Sequence, residues 1–325
     1  MAIKINNTDV IDNSRNIVNA VNASASGIIT ATTFSGSGAS LTSLNASNIS
    51  SGTVATARLA SGTANNTTFL RGDQTWASVS SSAQLFEFTS SGTWTKPSSG
   101  TVALVTIWGG GGSGGRQIQG GGGGGGGCVQ RLFNLSDLPA SVSITIGSGG
   151  ASRATNGNGF VGGNTSFGSL STAYGGGGGG GASLASGGGG GGGSLSAGSL
   201  GNTVLTTTGA SGGTGHGPTL AGGRGGASDT SDSSSYPVKG DFGGGGGGGA
   251  VGTAAQDIGA SSVWGGGGGG GRNSSTSRAG GVSLQGGSGS ASNTSNAGGF
   301  PGGGSGGTNG TTGVGGAGYC RIYVW

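Results

Sequence analysis

His216 is the only histidine of the chain and Glu87 its only glutamate, so general acid and base chemistry would have to be built around very few groups. His216 stands in Thr214-Gly215-His216-Gly217-Pro218, with no serine on a strained elbow and no defined carboxylate partner. It reads as a loop histidine that meets solvent or a ligand. Glu87 lies in a strand-like stretch with no second carboxylate to form the pair that glycoside hydrolysis needs. Asp229 and Asp232 share one serine-rich loop, which has too few carboxylates for a calcium cage. Cys128 and Cys320 lie almost two hundred residues apart without a CxxC partner, which excludes zinc-ribbon spacing and leaves two buried thiols as the reading. GxGxxG strings recur, but 89 glycines in 325 residues produce them by chance, and none follows a strand and precedes a helix with an acidic residue. The sequence therefore predicts a protein without catalysis, metal or cofactor.

The side chains that interrupt the glycine suit recognition better than reaction. His216, Arg224, Tyr236, Lys239, Asp241 and Phe242 fall in one segment, Asp257 and Trp264 in a second, and Arg272, Arg278 and Phe300 in a third. Saccharide recognition uses flat apolar faces flanked by hydrogen-bond donors, and binding residues concentrate on loops held by a rigid scaffold. His216, Tyr236, Lys239, Trp264, Arg272, Arg278 and Phe300 are accordingly the candidate receptor-binding residues. For Phe242, Trp264 and Phe300, packing against the glycine layers is an equal alternative, whereas His216 and Tyr236 lean toward the surface. The net charge is +4, with basic residues spread singly from Lys4 to Arg321, and this argues against nucleic acid as partner. No stretch approaches the 18 or so apolar residues of a membrane span, and residues 1–20 lack the pattern of an export signal. The expectation is a soluble chain with no membrane insertion.

These residues are positioned by two regions of different composition. Only six of the 89 glycines precede Leu85, which puts a domain boundary there. The first region is rich in Thr, Ser, Asn and Ala, with apolar clusters every few residues that suit very short strands and turns. A helix over residues 9–22 is the alternative, since Ile11, Val18 and Val21 share a heptad seam, but its asparagines oppose it. So thin a segment buries no core alone and is expected to order by association with copies of itself.

The second region opens and closes with strands. Residues 101–108 (TVALVTIW) are apolar on both faces, as a central strand requires. In residues 141–146, Val142, Ile144 and Ile146 alternate with Ser and Thr, and at the end of the chain Cys320, Ile322 and Val324 alternate likewise. This predicts a sandwich whose last strand closes beside its first. Between the strands lie pure glycine runs at 109–112, 120–127, 175–181, 187–193, 243–249 and 265–271. Ordering a glycine costs about 0.5–1 kcal/mol relative to alanine, so order must exploit the missing side chain. Polyproline-II geometry does so, because its backbone groups are free to bond sideways to chains that no Cβ holds apart. Flexible linkers mix glycine with serine irregularly, whereas these runs are pure and five of the six have seven or eight residues.

Residues 10–17 (VIDNSRNI), 27–34 (GIITATTF) and 64–77 (ANNTTFLRGDQTWA) resemble the shaft and linker sequences of bacteriophage tail fibres. Residues 88–115 together with the closing Gly-Tyr-Cys-Arg-Ile-Tyr-Val strand resemble the glycine-rich C-terminal domain of many such fibres. The alternation of glycine runs with dissimilar spacers is similar to the distal adhesins of T-even phages, although those are separate proteins and this chain carries shaft and tip together. The resemblance implies an all-β chain in three parts: virion attachment and shaft start at 1–30, a thin shaft and linker at 31–85, and a β-sandwich with packed polyglycine-II runs and loops at 86–325. It further implies a homotrimer in the virion tail fibre. Its N-terminal segment would dock on other tail or baseplate proteins, and its tip would bind a host surface glycan or outer-membrane protein. A structural or decorating fibre of the capsid or neck is the alternative. An ice-binding protein would need regular Gly-x-x repeats, which the pure runs and irregular spacers do not supply.

Overall fold

A chain with few side chains must satisfy its peptide groups largely with other peptide groups, and strands and lateral backbone bonds make up nearly all of the order seen. The computed structural model describes residues 3–5, 8–11, 26–28, 30, 32, 35, 59–78, 83–183, 186–203, 221–226, 237–250, 257–272 and 277–325. It divides into two compact units, Met1–Ala77 and Ser78–Trp325.

In the first unit β1 (Ile3–Ile5) pairs antiparallel with β2 (Thr8–Ile11), so residues 9–11 of the possible helix are extended and residues 12–22 lie outside the described residues. The fibre-like linker forms a second hairpin from β3 (Thr68–Leu70) and β4 (Trp76–Ser78). Asn65 and Asp73 shape its turns by accepting the N–H groups of Thr67 and Thr75, and Gln74 takes a left-handed φ of 58°.

The second unit is all-β. One sheet runs β5-β14-β7-β9, from β5 (Gln84–Phe88), β14 (Tyr319–Val324), β7 (Val102–Trp108) and β9 (Cys128–Asn134). The other runs β12-β11-β10-β6, from β6 (Gly92–Thr95), β10 (Ser141–Thr145), β11 (Thr165–Phe167) and β12 (Ser171–Ala173). Their facing residues make one apolar core around Trp94, Val105, Ile107, Val142, Ile144, Phe167 and Ile322. Its rings meet at centroid distances of 5.7 Å (Trp94 to Phe167) and 5.9 Å (Phe133 to Phe167). The last strand closes the sheet as its alternation predicts: Ile322 lies between Phe86 on β5 and Val105 on β7.

β7 and β9 do not end where their side chains end. They continue as glycine, residues 109–115 leading away from the sandwich and 120–127 returning, joined by the turn 116–119. Along 120–127 the peptide N–H groups rotate through three partners. Gly121, Gly124 and Gly127 donate to residues 180, 177 and 174, Gly122 and Gly125 to 248 and 245, and Gly123 and Gly126 to 305 and 302. The carbonyls rotate in the same way, accepting from 115, 112 and 109, from 189 and 192, and from 272, 269 and 266. A period of three with every bond leaving the chain is polyglycine-II, and residues 120–127 are the axis of a bundle with six runs around it. Runs 187–193, 243–249 and 265–271 repeat the three-way rotation. Cβ atoms are excluded by geometry: one at Gly124 would fall inside contact distance of the Gly190 carbonyl, and one at Gly246 would overlap that of Arg224. At buried Ser305 the hydroxyl serves the lattice: its Oγ donates to Gly313 O (2.7 Å) and accepts from Gly114 N (3.0 Å). The pair β8 (Gln119–Gly120) and β13 (Gly181–Ala182) marks the end of the bundle remote from the sandwich.

Two outcomes follow from this packing. Gly246→Val and Gly268→Val, which force a side chain onto backbone, should each destabilise by about 3 kcal/mol or more, while Gly310→Ala, whose new Cβ meets nothing closer than 3.7 Å, should melt as the parent does. Unchanged melts for the valine variants would exclude the ordered bundle. Both cysteines are free and buried, and burial pushes the Cys128 thiol up strongly and that of Cys320 to about 12. Neutral thiols favour the fold, so the Cys320 contribution is complete below its unfolded value of 9.0 and is lost as pH rises from there toward about 12. Denaturant midpoints should therefore fall across that window, and less steeply for Cys320→Ala.

Candidate recognition site

The hydrogen-bond registers place the ends of the described runs at one of two ends of the bundle. Gly127, Tyr174, Gly193, Gly244, Gly266 and Gly302 stand at the sandwich end, whereas Gly115, Gly180, Gly187, Gly248, Gly269 and Thr308 stand toward the distal end. The segments 116–119, 151–156, 294–296 and 309–311 consequently turn at the distal end, and residues 182, 226, 250 and 272 also reach it.

The structure separates the residues singled out in the sequence. His216 and Tyr236 lie outside the described residues. Trp264 and Phe300 are at the sandwich end, in stapling positions. Trp264 stacks on Phe242 with centroids 5.4 Å apart and planes 3° from parallel, and its carbonyl accepts the Trp108 indole N–H at 2.6 Å. Phe300 meets Tyr319 edge-on at 5.3 Å, and Tyr319 lies 5.5 Å from Trp108. These turns bury the outer face of the first sheet beside Trp108 and Cys128. Burial also raises the Tyr319 hydroxyl, which donates to Glu87. Lys239 is exposed, one residue beyond Val238, whose N–H bonds to Arg224 on the flank of the bundle.

Arg272 and Arg278 are brought together at the distal end. Arg272 is buried, its guanidinium donates to the Ile118 carbonyl, and burial pushes its pKa down. Arg278 pairs with the fully buried Asp257 at 3.5 Å. Both guanidinium groups are thus engaged within the domain, one by a turn carbonyl and one by a carboxylate.

A neighbouring corner escaped sequence reasoning. Arg116 exchanges both backbone bonds with Gly157 (3.0 and 2.9 Å), and its Nε reaches the Asn309 carbonyl at 3.3 Å. Arg153 is tied down by Thr312, whose Oγ1 accepts its N–H at 2.7 Å and whose N–H donates back at 3.1 Å. Its guanidinium lies 4.8 Å from the Phe160 ring centroid and against the bare Cα of Gly157, where a Cβ would come within 2.9 Å of it. Its Nε is buried without a hydrogen-bond partner. For Arg116 a signal existed, since any residues between two adjoining runs of one hairpin must form the turn. For Arg153 there was none.

A groove of about 410 Å³ runs along β9 and β12, lined in part by Gln130, Arg131, Thr172 and Tyr174. It is away from the distal end, and its arginine is engaged by the Leu170 carbonyl at 2.7 Å.

A β-sandwich that extends two of its strands into a polyglycine-II bundle defines a glycine-rich scaffold protein. The chain belongs to the glycine-rich domain family, which matches residues 87–325. No curated protein matches the sequence.

If the aromatic turns are staples, Trp264→Ala should cost about 2 kcal/mol or more in denaturant unfolding, and Lys239→Ala, which is exposed, no more than about 0.5 kcal/mol. Equal effects would remove the assignment of Trp264 as a staple.

Proposed function

We propose that this is a bacteriophage tail-fibre protein whose glycine-rich domain attaches the virion to a receptor on the bacterial surface, a saccharide in the first instance, without catalysis. The supporting observation is the polarity of the domain. Its chain enters at Gln84, paired with Val324, at the end of the sheet remote from the glycine, and Trp325 closes that same end through its bonds with Thr101 and Val102. The distal segments turn at the opposite end, on a scaffold held by backbone bonds. A rigid rod that is entered from one end and displays loops at the other is the geometry of an adhesive tip. The receptor-facing role belongs to the distal connections, while Trp264 and Phe300 hold the scaffold. Residues 1–85, whose sequence is too thin in apolar residues to bury a core alone, supply trimerisation and docking to other tail or baseplate proteins.

The test is adsorption. Labelled full-length protein should bind intact cells of some bacterial strains and not others, and replacing residues 151–156 and 309–311 with Gly-Ser segments of equal length should reduce binding at least tenfold without changing the melt. Indiscriminate binding, or binding unaffected by the replacements, would favour a decorating fibre. Sedimentation of the full chain should give a trimer, and a monomer would remove the trimeric shaft.

A further inference from the structure

We infer that the distal corner at Arg116 and Arg153 is a binding site for an acidic saccharide, one that carries a carboxylate or phosphate. This rests on the receptor reading for its biological setting and on local geometry for its chemistry. Basic residues that are scattered singly along the sequence are collected by the bundle: Arg116, Arg153, Arg272 and Arg278 all reach the distal end. Arg278 is paired with Asp257, and Arg272 and Arg116 each reach a carbonyl, of Ile118 and Asn309. Among the described residues no carboxylate pairs with Arg116 or Arg153. The segments that enclose them, 116–119, 151–158 and 309–312, are fully described and contain no Asp or Glu.

What they contain instead suits a sugar. Phe160 offers an apolar ring that is 43% exposed although Arg153 lies over it. Gln117, Asn156 and Asn309 add amides, which both donate to and accept from hydroxyls. A guanidinium presents planar paired donors that match a carboxylate or phosphate bidentately. The backbones of both arginines are fixed to Gly157 and Thr312, so little freedom remains to be lost on binding. A neutral glycan would leave two cations uncompensated, and a protein partner would need a larger apolar surface than one ring.

The experiment is calorimetric titration of the full chain with three probes: oligogalacturonate, its methyl ester and a phosphorylated mannan oligosaccharide. At least one acidic probe should bind, the ester at least tenfold more weakly than the free acid if the uronate is the ligand, and raised salt should weaken binding. Arg116→Gln and Arg153→Gln should each reduce affinity roughly tenfold or more, whereas Arg131→Gln, at the sandwich end, should not. If Arg153→Gln also lowers the melting temperature, Arg116→Gln carries the test, because its backbone bonds persist. Binding of no probe, equal binding of acid and ester with no phosphomannan binding, or equal loss with Arg131→Gln overturns the inference. Cell adsorption keeps the two readings apart. Undiminished adsorption of both corner variants overturns this site and leaves the receptor function standing. An acidic saccharide held here by a protein that adsorbs to no cell does the reverse.

Discussion

The structure depends on peptide groups that bond sideways at distances only bare Cα atoms permit. In a β-sheet each strand has two hydrogen-bonded neighbours, and its side chains keep other layers about 10 Å away. In the glycine bundle the threefold rotation of donors and acceptors gives residues 120–127 neighbours on all sides. Each residue contributes about one lateral bond, worth roughly 1 kcal/mol net, which offsets the extra cost of about 0.5–1 kcal/mol that ordering glycine carries relative to alanine.

Completeness requires boundaries, and the two ends are bounded differently. At the sandwich end β7 and β9 deliver their chains already paired, and the aromatic turns around Phe242, Trp264 and Phe300 cover the outer face of the sheet. At the distal end the described residues offer only the two-residue pair β8 and β13. Run termini there are closed by guanidinium groups on carbonyls and by short backbone pairings such as Arg116 with Gly157. The chemistry-bearing side chains of that end are therefore partly structural, and the Arg153 Nε there is buried without a hydrogen-bond partner.

Much of the fold could be read from the sequence. The alternation at Val142 and Ile144 and at Cys320, Ile322 and Val324 identified sandwich faces, and the purity of the glycine runs identified close packing, because both are local consequences of where side chains can stand. The candidate site was less legible. Trp264 and Arg272 looked alike as interruptions in glycine, yet they belong to opposite ends, since the end at which a run stops depends on the register and direction of its neighbours. Arg153 and Thr312 are 159 residues apart in sequence and bonded in space, and no spacing rule predicts that.

The bundle also does not distinguish chain direction. Residues 120–127 run antiparallel to 174–180 and parallel to 187–193, with equally short bonds to both. β-sheets, by contrast, change their bonding pattern with strand direction, and parallel pairs demand long crossovers. A lattice indifferent to polarity can receive a passing segment either way, and the chain uses this. Asn202, bonded to Gly187, stands at the distal end, and Gly223, bonded to Gly191, stands toward the sandwich end, so residues 198–202 and 222–226 run in the same direction. A segment gained or lost between two runs need not preserve up-and-down parity, so such a bundle can be respliced by whole runs where a sheet would be broken.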